Sequence, residues 1–266
     1  MFSLELLYIF IAILIVCLIG FKKYVWFISL GYGFSITTVG VMLLILFRNS
    51  LEFGYVLGAL ILILYGLRLG GFLAIRELKS SSYNKKMKKE ISDGSHMTIP
   101  LKIMLWISCA LLYLFMTSPV IYRFMNHNGT DSIYYVGLLI TVFGIALEAL
   151  SDFQKSKAKR VNPNRFVDSG LFRIVRCPNY LGELIIWLGI FTSGVSALHG
   201  VGQWLIAIIG FVGIIYIMFS GARRLELRQD RTYGSDPEYQ KYVGKTPILL
   251  PLIPLYSVKK YKWLVG

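Results

Sequence analysis

Long apolar runs, broken by short polar clusters, organise this chain. They cover roughly residues 2–21, 24–47, 53–75, 101–125, 132–153, 180–198 and 201–221. About 20 residues of helix cross the hydrocarbon of a bilayer, and only helices or closed barrels satisfy the backbone there. These runs are too long and too continuous for barrel strands. The pattern therefore predicts an all-α polytopic membrane protein, a seven-transmembrane helix bundle forming one membrane domain over residues 1–266. Lys22 and Lys23 leave so short a break that the first two spans form a tight hairpin. Two stretches are not simple spans. Residues 79–98, KSSSYNKKMKKEISDGSHMT, read as a polar loop with a short helix in its middle. Residues 222–266 read as a tail in which helix continues through Arg231, breaks at Gly234 and restarts at Pro237.

Composition narrows the class. Hydrophobic residues make up 56% of the chain and charged ones 16%, which excludes a water-soluble enzyme with a large core. Lys and Arg number 28 against 14 acids, a formal charge of +14. Because the basic clusters lie beside spans, they point to topology and anionic lipid rather than to nucleic acid. Arg76 to Lys102 holds seven Lys or Arg, Lys155 to Arg176 another seven, and Arg223 to Lys262 nine. The alternate loops carry only Arg48 and Arg123. The expectation is an N-terminus outside and a C-terminus in the cytoplasm. The first run has no basic segment before it and no small-x-small cleavage site, so it reads as a span rather than a signal peptide. The lack of targeting signals fits a bacterial inner membrane. Cys17, Cys109 and Cys177 offer no disulfide framework, and no CxxC or His-rich cluster suggests a metal.

Polar groups inside the spans are the candidates for chemistry. The stretch GLFRIVRCPNYLGELIIW, residues 170–187, runs straight into a span. Pro178 favours the first turn of a helix, so a helix start is expected at Cys177–Pro178. Its free N–H groups make an anion site, to which Arg173 and Arg176 add charge and Asn179 a polar side chain. Tyr180, Glu183 and Trp187 then share one face. This is a way to hold an extended anionic cofactor with its reactive end buried. Upstream, Glu148 and Asp152 sit four apart with Lys155 and Lys159 continuing the stripe. If the helix ends soon after, its dipole opposes these acids there, which points to use. Asp152 suits ribose hydroxyls or an amide, and the basic residues suit phosphate. In the third span Arg68 costs at least about 2.5 kcal/mol to insert, and Tyr65, one turn before it, is placed to donate a hydrogen bond to a carbonyl. The motifs of soluble dinucleotide-binding, nucleotide-hydrolysing and zinc enzymes are absent. His96, His127 and His199 are not placed to act as a base at the cytoplasmic site.

The SDFQ segment, GLFRIVRCPNYLGELIIWLG and the LELR…YGSDPEYQKYVGKTP tail together resemble the membrane-bound steroid 5-alpha-reductase family. The likeness spans about residues 53–254 and is strongest from 148 to 254. It implies seven transmembrane helices and NADPH-dependent reduction of an activated C=C bond in a 3-oxo-4-ene steroid or similar enone. It implies that Asp152, Arg165, Arg173, Arg176, Asn179, Tyr180 and Glu183 line the NADPH site, closed from the tail by Arg224, Glu226, Tyr239 and Tyr242. Tyr65 resembles the tyrosine that hydrogen-bonds the substrate carbonyl. Relatives read Arg-His-Pro-Asn-Tyr, where this chain has Cys177. Steroid-reducing members carry a Gln-Glu pair early in the second span, where this chain has Ser29 and Leu30. Two other readings stay open: a membrane methyltransferase of the isoprenylcysteine or phospholipid type using S-adenosylmethionine, and a non-catalytic protein keeping the pocket.

Overall fold

The computed structural model describes residues 3–79 and 97–265. The short helix expected within 79–98 lies outside the described residues. Among the described residues the regular structure is helical: α1 (Leu4–Cys17), α2 (Leu30–Leu46), α3 (Phe53–Lys79), α4 (Ile99–Met125), α5 (Ser132–Val161), α6 (Pro178–Gly194), α7 (Gly200–Tyr233) and α8 (Pro237–Val243), with short 3₁₀ turns. Seven segments are long and apolar enough to cross a membrane. Large apolar side chains such as Leu64, Leu139, Phe143 and Phe153 stand exposed on them, as lipid-facing positions should. The chain divides into two compact units, Met1–Leu138 with Ile190–Gly210, and Leu139–Gly189 with Phe211–Gly266.

In the first unit, α2 and α3 pack through glycine. A Cβ on Gly33 would lie 2.6 Å from the Gly70 nitrogen, and one on Gly40 2.7 Å from the Ala59 carbonyl. Lipid tails are as apolar as leucine, so close backbone approach, not water exclusion, holds such a pair. The first span is not one α-helix. It tightens to 3₁₀ over Leu18–Phe21, turns at Lys22–Lys23, and re-enters through a 3₁₀ turn at Tyr24–Phe27. The turn is fastened to α3, where Lys23 pairs with the buried Glu77 at 2.6 Å and Trp26 donates to it at 3.3 Å. Pro119 interrupts the ladder inside α4, and the freed Phe115 carbonyl accepts from the Ser118 hydroxyl at 2.8 Å, as lipid requires.

Arg123 is not a loop charge. It lies in α4, fully buried, and donates to the Ser193 carbonyl at 2.8 Å and the Gly129 carbonyl at 2.7 Å. Ser196 and Asp131 take its other donors, and its guanidinium lies 4.9 Å from the centre of the Tyr134 ring. A buried guanidinium needs its five donors met. Gly129 and Asp131 of the loop after α4 supply two of the acceptors and Ser193 and Ser196 the others, which removes Arg123 from the loop-charge count.

In the second unit, α5 runs on to Val161, eight residues past the expected end of the span, and α7 runs through Tyr233. At 1.5 Å per residue, the 34 residues of α7 reach about 51 Å, well beyond a hydrocarbon core of about 30 Å. The helix α6 starts at Pro178, α7 gives way near Gly234, and α8 opens at Pro237 with Asp236 capping it through the Glu238 nitrogen at 2.8 Å. The extended α5 corrects one expectation. Glu148 and Asp152 lie mid-helix, and the true last turn carries Lys159 and Arg160, which its dipole favours. The dipole argument for a functional acid pair therefore lapses, and their burial must carry the case instead.

Candidate functional site

The centre of the second unit is the seam between α5 and α6. A Cβ on Gly144 would lie 2.7 Å from the Ile186 nitrogen, and one on Gly182 2.8 Å from the Glu148 nitrogen. Only glycine permits this approach, and it brings Glu148 of α5 against the turn of α6 that carries Glu183. Both carboxyl-bearing side chains are buried, at 3% and 6% exposure. An acid taken out of water needs a partner or a use. Trp187, one turn on and itself buried, donates its indole N–H to Glu183 at 3.1 Å. The three residues placed on one face thus divide. Glu183 and Trp187 form a buried pair, while the Tyr180 ring, half-buried, packs beside Gly221 of α7. Asp152, one turn beyond Glu148, is half-buried.

In this unit Asn179 Oδ1 at the start of α6, Ser220 Oγ on α7 and Arg176 Nε are shielded from water with no hydrogen-bond partner among the described residues. Such a group costs about 1–3 kcal/mol if left unmet. Ser220 was missed by the sequence reading. Its only signal was a small polar residue near the end of the last apolar run, in FSGARR, which helix packing explains equally well.

The entrance is built differently from what the arginine count suggests. Arg176 is buried, and its guanidinium meets Glu226 of α7 at 2.8 Å and the Tyr256 carbonyl. The second carboxylate oxygen of Glu226 accepts from the Val258 nitrogen at 2.9 Å. The backbone N–H groups of Arg176 and Cys177 donate to the carbonyls of Pro247 and Ile248 at 2.8 and 3.0 Å. The start of α6 is thereby fastened to the tail. Cys177 is packed with Ala222, Ile248, Leu249, Val258 and Leu264. Burial pushes its thiol up to about 12, against the smaller lowering pull of Arg176 and Lys155. Cys177 is thus a protonated, apolar plug at the start of α6. Arg173 and Arg224 are exposed.

A second cluster closes the loop after α5. Phe166 is stacked on Tyr242 at 5.4 Å and meets the edges of Tyr239 and Tyr233 at 5.3 and 5.9 Å. The Tyr239 hydroxyl donates to Asp230 at 2.8 Å and the Tyr242 hydroxyl to the Phe172 carbonyl at 2.7 Å. Burial raises the pKa of both phenols, with the Asp230 contact adding to the rise at Tyr239. Lys159 donates to the carbonyls of Pro163 and Arg165 and to the Tyr233 hydroxyl. Arg165, exposed, pairs with Glu238 at 2.6 Å and Asp168 at 3.0 Å. Gln154 of SDFQ accepts from the Leu171 nitrogen at 2.8 Å and fixes the GLFR turn. Beside this cluster lies an open groove of about 470 Å³ whose polar lining includes Gln154, Lys157, Asn162, Arg165 and Asp168.

Tyr65 and Arg68 belong to the first unit. Tyr65 is buried with its hydroxyl 3.0 Å from that of Tyr32, a partner the sequence reading did not single out, and Arg68 is half-buried on the next turn. Ser29 turns its hydroxyl to the Val25 carbonyl at 3.0 Å, and Leu30 is buried.

Seven apolar helices that carry buried carboxyl groups define an integral membrane protein with a polar centre inside its second unit. The chain belongs to the family described as "Protein of unknown function (DUF1295)", whose model matches residues 16–246. No curated protein and no solved structure gives a significant match to the chain.

Proposed function

We propose that the protein reduces an activated C=C bond of a lipophilic enone, a 3-oxo-4-ene steroid or similar lipid, with NADPH as the reductant. The observation that carries the reading is the pair of shielded, unpartnered acceptors, Asn179 Oδ1 and Ser220 Oγ, in the unit that buries Glu148 and Glu183. Asn179 Oδ1 can only accept, and so suits an amide N–H or a ribose hydroxyl. Ser220 can do either. An acceptor and a hydroxyl left unmet in this way suit the amide and ribose hydroxyls of a nicotinamide nucleoside. The residues that would hold it are Glu148, Asp152, Asn179, Tyr180, Glu183 and Trp187, with the exposed Arg173 and Arg224 available to phosphate, Lys159 and Arg165 shaping the loop beside them through their own contacts, and Tyr239 and Tyr242 closing it. Arg176 and Glu226 support the site by pinning the start of α6. The bound nucleotide would supply a hydride.

The chain's own contribution is positional and electrostatic. Trp187 fixes the orientation of Glu183 through one indole N–H hydrogen bond. Tyr65, by the resemblance stated above, donates to the substrate carbonyl, and Arg68 adds positive charge beside it. A donor placed where negative charge develops on oxygen is the largest single aid to such a reduction. The substrate enters from the bilayer. The loop charges support an N-terminus outside and a tail in the cytoplasm, in a membrane we take to be a bacterial inner membrane.

The test is the thermal stability of the detergent-purified protein with NADPH, NADH and S-adenosylmethionine in parallel. A ligand bound only by the folded state raises its stability. The expected result is a shift with NADPH that Asn179→Ala removes, followed by NADPH-dependent loss of an enone lipid. A shift with S-adenosylmethionine alone would replace this reading with methyl transfer. Binding of NADPH without turnover of any enone would leave a non-catalytic pocket.

A further inference from the structure

The segment after α8 does not leave the protein. It returns along α7, where the Arg223 guanidinium donates to the carbonyls of Lys259 and Leu264 at 3.2 and 3.3 Å. Seven residues earlier on α7, the Tyr216 hydroxyl donates to the Trp263 carbonyl at 2.9 Å and accepts from the Val265 nitrogen at 3.2 Å, with the two rings stacked. Seven residues of helix are about 10 Å. Arg223 ends the apolar run of α7, and Tyr216 lies about 10 Å back toward its apolar centre. Residues 263–265 are held between these two side chains. The stretch from Lys259 to Val265 therefore sits at the end of the apolar run, where the headgroup layer, about 5–8 Å thick in one leaflet, begins.

Its two faces differ. Val258 and Leu264 are buried against Cys177 and Ala222. Trp263 and Val265 beside them are 64% and 73% exposed, and Leu252, earlier in the segment, is 95% exposed. In water such a patch would be a liability. Lys260 and Lys262 alternate with Tyr261 and Trp263 and are exposed. Lys259 is already committed to Asp230 at 2.6 Å. Residues 239–266 contain five lysines and no acid. Exposed aromatics at the end of a span, interleaved with uncompensated lysines, match the two layers of a lipid interface.

We propose that residues 252–265 form an interfacial anchor selective for anionic phospholipid. Leu252, Ile253, Trp263 and Val265 enter the boundary between headgroups and acyl chains, and Lys260 and Lys262 reach the phosphates. This stands apart from the proposed reductase activity and does not need it.

The experiment uses the full chain with Leu252→Cys labelled by an environment-sensitive fluorophore, the three native cysteines being buried. The protein is reconstituted in phosphatidylcholine vesicles with increasing phosphatidylglycerol. The expected result is stronger quenching by a lipid-borne quencher than by aqueous iodide, and a blue shift that grows with phosphatidylglycerol. Lys260→Gln with Lys262→Gln should raise the phosphatidylglycerol fraction needed for the half-maximal shift severalfold, and Trp263→Ser should reduce the lipid quenching. Full access to iodide would overturn the proposal, as would indifference to lipid charge. Shielding from both quenchers would put a protein partner on this face instead, and overturn it too.

Discussion

Single side chains carry the sharpest expectations. Arg176 and Glu226 are a buried pair tied to the tail backbone, Arg176 Nη2 through the Tyr256 carbonyl and Glu226 through the Val258 nitrogen. Removing one partner of such a pair costs about 3–5 kcal/mol, whereas replacing both with apolar groups can be neutral. Glu226→Ala should therefore lower the melting temperature in detergent sharply, and Arg176→Met with Glu226→Leu should recover much of it. Cys177 gives a pH expectation. Its folded thiol ionises at about 12 because it is buried, against 9.0 for an open thiol. The folded state thus keeps a proton that the unfolded state releases. The resulting stability is whole below pH 9 and is lost as pH rises from 9 toward 12. A maleimide dye should leave Cys177 unlabelled at neutral pH until the protein unfolds. Much of this scale was legible in the chain. A proline beside Asn179 and an acid one turn inside an apolar run named the start of α6. Where Arg176 points was not legible, because a charge count does not distinguish an arginine bound to a nucleotide from one bound to Glu226. Ser220 was silent for a similar reason: a lone serine in a span is as common in packing as in binding.

Among the helices, glycine decides which pairs meet. The α2–α3 and α5–α6 contacts both rest on backbone approach too close for a Cβ. Gly182→Ala would press a methyl into the backbone of Glu148 and should cost about 1–3 kcal/mol as overpacking, seen as a lower melting temperature with weakened nucleotide binding. Ala at Gly71, where the structure leaves open space, is the control and should be near neutral. Hydropathy alone located all seven membrane helices, since length in lipid leaves few alternatives. It misjudged where α5 stops, because charged residues that end an apolar run do not end a helix. Lys155, Lys157, Lys159 and Arg160 are good helix formers, and the last two also suit its C-terminal dipole. The 3₁₀ break at Leu18–Phe21 left no mark on the apolar pattern either.

For the molecule as a whole, seven crossings fix which loops share a side. One span, α5, separates the loop at Asn128 from the loop at Asn162. Cysteines placed at these two positions should be labelled by a membrane-impermeant reagent from opposite faces of oriented vesicles, with Asn128 on the outer side if the loop charges set the orientation. Labelling of both from one face would remove a span from the count. The binding of the α6 start to the tail has a consequence in time. The carbonyls of Pro247 and Ile248 and the Val258 nitrogen complete contacts made by Arg176, Cys177 and Glu226. A ribosome must release residue 258 before those partners exist. Throughout synthesis, then, a half-inserted chain holds its buried acid and arginine without their final neighbours. A quality-control protease would read that interval as damage, so shortening the chain before Val258 should shorten its lifetime in the membrane even though every transmembrane helix is intact.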